Sequence, residues 1–222
     1  MELLQVFTRL PAILFLNLKI FEESSSIAEK ESSFLSPFVE EGKLNALIVV
    51  GSPDPHGPQK ARSRDGYFGM DLALFLGSFL NYIPESMVRL DTEITQKEMD
   101  ENNLIVLGGP IVNRVSLLVN KSMKIYFDEE KKGIYSKISS KTYFNDEIGI
   151  INKFKSPFNV DRQVLLIAGI RNSGTKAAIL AFLKHFSELK KPNLYDSKMS
   201  FKVVEGVDLD SDGKVDDCEF LE

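Results

Sequence analysis

The chain has 222 residues, of which 43% are hydrophobic and 27% charged, and a net charge of −5. Those figures suit a soluble globular protein with one sizeable core, or one domain plus an appendage, and argue against broad nucleic-acid binding. A single cysteine, Cys218, excludes an internal disulfide, and two histidines, His56 and His185, leave little material for a zinc site built from several such ligands.

From the N-terminus, the first apolar stretch is Leu10 to Phe21, twelve residues interrupted by Asn17 and Lys19. It falls short of the ~18 residues needed to span a bilayer, so no transmembrane segment is expected. It reads as an amphipathic helix. Arg9 before it and Ser26-Ile-Ala28 after it also sketch a weak signal-peptide pattern. Glu22 to Lys43 is rich in Glu and Ser and reads as a linker, so residues 1–43 are set apart as a helix and linker. Leu10 to Phe21 is also a candidate for self-association.

Residues 44–200 alternate strand and helix. Leu44 to Val50 suits a buried strand, and a loop with three prolines follows at 52–58. Asp71 to Tyr82 has helical spacing, Met87 to Leu90 and Asn103 to Leu107 read as strands, and Ile111 to Val119 reads as a helix. Between about 123 and 158, short aromatic and β-branched runs separated by charged turns suggest a small antiparallel insertion or meander. Gln163 to Ile170 is the strongest buried strand, and Lys176 to Leu189 is the helix after it. The expected fold is α/β, with a mainly parallel central sheet, flanking helices, the antiparallel insertion and a C-terminal β-hairpin over 201–222.

That hairpin carries the clearest chemistry. Asp208, Asp210, Asp212, Asp216 and Glu219 stand at positions 1, 3, 5, 9 and 12 of a calcium loop, with Gly213 at position 6. The last fifteen residues have a charge of −6, so the rest of the chain sums to +1. Calcium takes six to eight oxygens at ~2.3–2.6 Å, which a short segment supplies only by wrapping round the ion. In that arrangement Lys214 lends its carbonyl, Asp216 acts through a water and Glu219 closes the site. The flanks depart from the helix–loop–helix pattern, because Phe201 to Val207 is strand-like. A solvated acidic turn is the other reading, since Asp-Gly is a common hairpin signal.

Three strand ends carry glycine: Gly51, Gly108-Gly109 and Gly169. Gly169-Ile-Arg-Asn-Ser173-Gly174-Thr175-Lys176 has the glycine spacing of a phosphate loop, but the lysine is one position late and rotated by ~100°. The plainer reading is that Ser173 or Thr175 caps the helix and Gly174 permits a tight turn. Gly108, Gly109 and Asn113 would expose amides to an anion at a helix start, or serve close packing alone. Asp65 and Asp71, near the proline-rich loop, are candidate polar site residues, against the plainer reading that scattered carboxylates face water, and Lys60, Arg62 and Arg64 read as a solvated loop. The two histidines and one cysteine compose no nucleophilic triad.

The strings Asn103-Leu-Ile-Val-Leu-Gly-Gly-Pro-Ile-Val-Asn113 and Val164-Leu-Leu-Ile-Ala-Gly-Ile-Arg-Asn-Ser-Gly-Thr-Lys-Ala-Ala178 resemble the archaeal S-layer-like family. The likeness is to its C-terminal or outer domain, as in methanogens and Thermococcales, and runs with gaps from Leu44 to Glu222. The resemblance implies a structural, non-catalytic module of a cell-surface lattice, with copies of the same protein as partners and divalent ions stabilising it. The chain is shorter than a full lattice protein. The expectation is therefore a calcium-binding, non-enzymatic α/β module. The alternative is an intracellular domain that binds a phosphate or nucleotide ligand at the glycine turns.

Overall fold

The computed structural model describes residues 34–83 and 85–222. The helix expected at Leu10 to Phe21 lies outside them. A hairpin of β1 (Val39–Glu40) and β2 (Lys43–Leu44) leads into β3 (Leu47–Val50). Next come α1 (Asp65–Gly77), β4 (Val88–Leu90), α2 (Gln96–Glu101), β5 (Leu104–Leu107) and α3 (Arg114–Asn120). The short strands β6 (Ile125–Asp128), β7 (Gly133–Ser136) and β8 (Thr142–Tyr143) form an antiparallel meander. The chain continues through β9 (Ile148–Lys155), β10 (Gln163–Gly169), α4 (Asn172–Lys184), α5 (Phe186–Leu189), β11 (Phe201–Val207) and β12 (Asp217–Phe220).

The central sheet has seven strands in the order β12-β11-β9-β10-β5-β3-β4. The pairs β3–β4, β3–β5 and β5–β10 are parallel, while β9–β10, β9–β11 and β11–β12 are antiparallel. The fold is α/β, but the sheet is not mainly parallel, and with the two small sheets counted most pairs are antiparallel. The cause is β9. Its Ile148-Gly-Ile-Ile151 run is buried on both faces and so has the apolar look of a parallel strand. It leaves the meander and inserts between β10 and β11, which run the same way.

Alternate side chains of each strand divide the core. Leu47, Val49, Leu104, Val106, Val164, Leu166, Ile148, Ile150 and Val203 face one side, packed with Met99 of α2, Val115 and Val119 of α3, and Ile125 and Ile134 of the meander. On the other side, α4 lies along β9, β10 and β11 and packs against α1. Phe75 of α1 and Phe182 of α4 meet edge-to-face with centroids 5.8 Å apart. Full burial of each such aliphatic side chain contributes about 1.5–3 kcal/mol.

Helix boundaries follow local chemistry. α2 has a complete capping box: Thr95 accepts from the Glu98 amide while Glu98 accepts from the Thr95 amide. α1 begins at Asp65, ahead of the expected Asp71, and the helix expected to run to Leu189 breaks at His185 into α4 and α5.

Candidate functional site

The β11–β12 hairpin is joined by the acidic loop, and its geometry is set by short backbone contacts. Asp208 accepts from the Asp212 amide at 3.2 Å and from the Gly213 amide at 2.8 Å. Asp210 accepts from the Asp212 amide at 3.1 Å, Asp212 from the Lys214 amide at 2.8 Å, and Asp216 from the Leu209 amide at 3.3 Å. The chain can turn this sharply because Gly213 sits at φ +83°, where a Cβ would strain. Ser211 takes φ +63° and sits in the same left-handed region. The amides, Gly213 first, hold the Asp208 carboxyl below its usual range.

Carboxylate oxygens of Asp208, Asp210, Asp212 and Asp216 all lie within 4.8 Å of one another. Three of these residues are exposed and Asp216 is half-buried. The Lys214 ammonium donates to Asp212 at 2.6 Å and is the nearest counter-charge. Glu219 is not part of this convergence. It lies in β12, in register with Glu205 of β11, with its side chain exposed. The donor set that converges is all carboxylate, the hard oxygen chemistry of calcium or magnesium. The loop also forms one wall of a cleft of about 680 Å³, with Tyr67 and Asp71 of α1 and Ser173 and Lys176 of α4 on the other side.

The glycine turns are filled by the protein itself. Asn113 caps α3 by accepting from the Val115 and Ser116 amides at 2.9 and 3.3 Å. Its amide group donates to Leu107 O at 2.8 Å and Val49 O at 3.3 Å, which plugs the crevice between β5 and β3. Ser116 Oγ takes the Gly108 carbonyl at 2.5 Å. A Cβ on Gly51 would lie 2.1 Å from the Val112 carbonyl oxygen. The other turn is as tight: a Cβ on Gly169 would sit 2.1 Å from the Thr175 nitrogen, and one on Gly174 would sit 2.1 Å from the Ile148 oxygen. Ser173 does not cap α4, because its hydroxyl donates to the Asp146 carbonyl at 2.9 Å. The Thr175 hydroxyl engages Asp65, and Lys176 borders the cleft. The glycines thus permit close backbone packing, while Ser173 and Lys176 line the cleft beside the acidic loop.

Three carboxylates are buried among the described residues, and of these the sequence reading singled out only Asp65, as a candidate near the proline-rich loop. Asp91, wholly buried after β4, accepts from the Ser52 amide and the Arg114 amide, each at 2.7 Å. His56 Nε2 stands 3.1 Å from it, at ion-pair distance but not aligned as a hydrogen bond. Asp65 is 2% exposed, and burial pushes its carboxyl up to about 6. Glu222 is buried and accepts from Ser136 Oγ at 2.9 Å, Tyr143 OH at 2.7 Å and Ser139 Oγ, which ties the meander to the sheet. Asp91 also had a sequence signal, as a carboxylate just past a strand end.

Residues 81–186 match the model of the S-layer like family, outer domain. Over 86 residues the chain is 37% identical to an uncharacterised protein of Methanocaldococcus jannaschii; the aligned stretch is 39% of this chain and 17% of that relative. The chain therefore spans well under a fifth of the relative's length. The resemblance read from 103–113 and 164–178 falls inside the matched segment, and the acidic loop at 208–216 falls outside it.

Proposed function

We propose that this chain is a non-catalytic, calcium-stabilised α/β module of an S-layer-like protein, with a structural role among copies of the same protein. The match over residues 81–186 supports the structural part. One observation carries the calcium part: four carboxylates converge within 4.8 Å, round a turn held open by Gly213. In water such a cluster repels itself, and a divalent cation offsets that repulsion.

Asp208, Asp210, Asp212 and Asp216 would supply the side-chain oxygens and Lys214 its carbonyl, with water in the place of Glu219. A loop without its closing bidentate carboxylate belongs with the weaker calcium sites of extracellular modules, with Kd of roughly 10⁻⁴–10⁻³ M. Calcium at 100 times its Kd would add about 2.7 kcal/mol of stability.

Thermal unfolding in calcium and in EDTA tests this. The melting temperature should rise with calcium and fall with EDTA, and Asp212→Ala should erase the difference. If millimolar calcium leaves the transition unmoved, the loop is a solvated turn.

A further inference from the structure

The chain has one cysteine and two histidines, yet the cysteine and one histidine meet at a carboxylate. His185 ends α4, and Asp217 and Cys218 open β12. A ring nitrogen of His185, a carboxylate oxygen of Asp217 and the Sγ of Cys218 all lie within 4.8 Å of one another. His185 Nε2 donates to Asp217 Oδ1 at 2.5 Å, and the same oxygen accepts from the Cys218 amide at 2.8 Å. The side chains of His185 and Asp217 are 36% and 26% exposed, whereas Cys218 is buried. A cation can therefore enter from solvent on the nitrogen and oxygen donors and be closed from within by sulfur.

We propose that His185, Asp217 and Cys218 form a three-ligand site for a zinc-class divalent cation, with water as the fourth ligand, at the seam of α4 and β12. Nitrogen, oxygen and sulfur donors together select a borderline-soft ion over calcium, which takes oxygen alone. A tetrahedral ion with bonds of ~2.0–2.3 Å sets its ligand atoms about 3.3–3.8 Å apart. The histidine–carboxylate contact opens by about 1 Å to admit it, well within a side-chain rotation. On ligation the thiol proton leaves to solvent and the imidazole proton moves from Nε2 to Nδ1. The adjacent Lys184 ammonium donates to the Asp216 carbonyl at 2.5 Å, near enough for its charge to favour the ionised forms of Asp217 and Cys218. These ligands are distinct from the acidic loop, although Asp216 and Asp217 are neighbours in sequence.

Cobalt titration of the full chain, in excess calcium to occupy the loop, separates sulfur ligation from binding by carboxylates. One equivalent should bring up a thiolate-to-cobalt charge-transfer band with tetrahedral visible absorption, and zinc should bleach both. Cys218→Ser should lose the charge-transfer band, and the half-exposed His185→Gln should weaken zinc binding at least ~10-fold while melting like the parent without metal. Cobalt absent, cobalt bound with an oxygen-only spectrum, or zinc affinity unchanged in His185→Gln would each overturn the site.

Discussion

Asp65 is a buried acid whose replacement should stabilise the protein, by an amount that depends on pH. It opens α1 at 2% exposure, and its Oδ1 has no hydrogen-bond partner among the described residues. Its other oxygen faces Gly108, where a Cβ would come within 2.7 Å. Burial raises its pKa to about 6 from 3.8, against the smaller opposing effect of the Thr175 hydroxyl. A carboxyl raised on folding favours the folded state below its unfolded pKa, and that contribution is lost as pH rises through the folded value. Above about pH 6 the folded protein carries the full cost of a buried charge, ~3 kcal/mol at ~1.36 kcal/mol per pH unit. Asn in this place is neutral at every pH. Relative to the parent, Asp65→Asn should gain about 3 kcal/mol at pH 7.5 and less than about 1 kcal/mol at pH 4.0, the gain at both being trimmed by the loss of the carboxylate's favourable place in the first helical turn. Urea unfolding of both proteins at the two pH values measures this difference directly. A difference that stays constant with pH, or a variant less stable at pH 7.5, would refute the reasoning.

Asn113→Ala removes a helix cap and leaves the Val49 and Leu107 carbonyls short of a donor, so urea unfolding should show a loss of about 2–4 kcal/mol. Gly174→Ala places a Cβ 2.1 Å from the Ile148 backbone oxygen and should destabilise by more than ~3 kcal/mol, or yield no soluble protein; an unchanged melting temperature would contradict the packing role. Tyr143→Phe leaves buried Glu222 without one donor, so about 1–3 kcal/mol should be lost, with hydrogen exchange rising first in β7 and β8.

Strands β3, β5 and β10 were legible as apolar runs ending at glycine, because strands buried on both faces leave no polar alternation to obscure them. The same property misled the topology. Nothing in Ile148 to Ile151 tells a strand that parallels its neighbours from one that opposes them, since direction is set by where the chain returns. α2 was missed although Thr95-Gln-Lys-Glu98 spells its capping box; six residues are too few to show a 3.6-residue period.

The spacing of the acidic loop was readable because its ligand pattern is local. Asp208, Asp210, Asp212 and Asp216 converge, whereas Glu219 follows the alternation of β12 and is carried away from them. Sequence gives the loop position of Glu219 but not the strand that claims it. The meeting of His185 with Cys218 was likewise out of reach, because it depends on the packing of α4 against β12, with His185 and Asp217 separated by 32 positions of chain. Asp65 was weighed as a site residue but set down as solvated, because scattered carboxylates usually face water and the expected helix began at Asp71 rather than at Asp65.

The most direct test of the central claim is a calcium titration followed by amide NMR. The amides of residues 208–216, Gly213 foremost, should shift together along one saturable isotherm with Kd of roughly 10⁻⁴–10⁻³ M, and Asp208→Asn should flatten it. Resonances of that loop that stay fixed as calcium is raised well past this range would contradict the account.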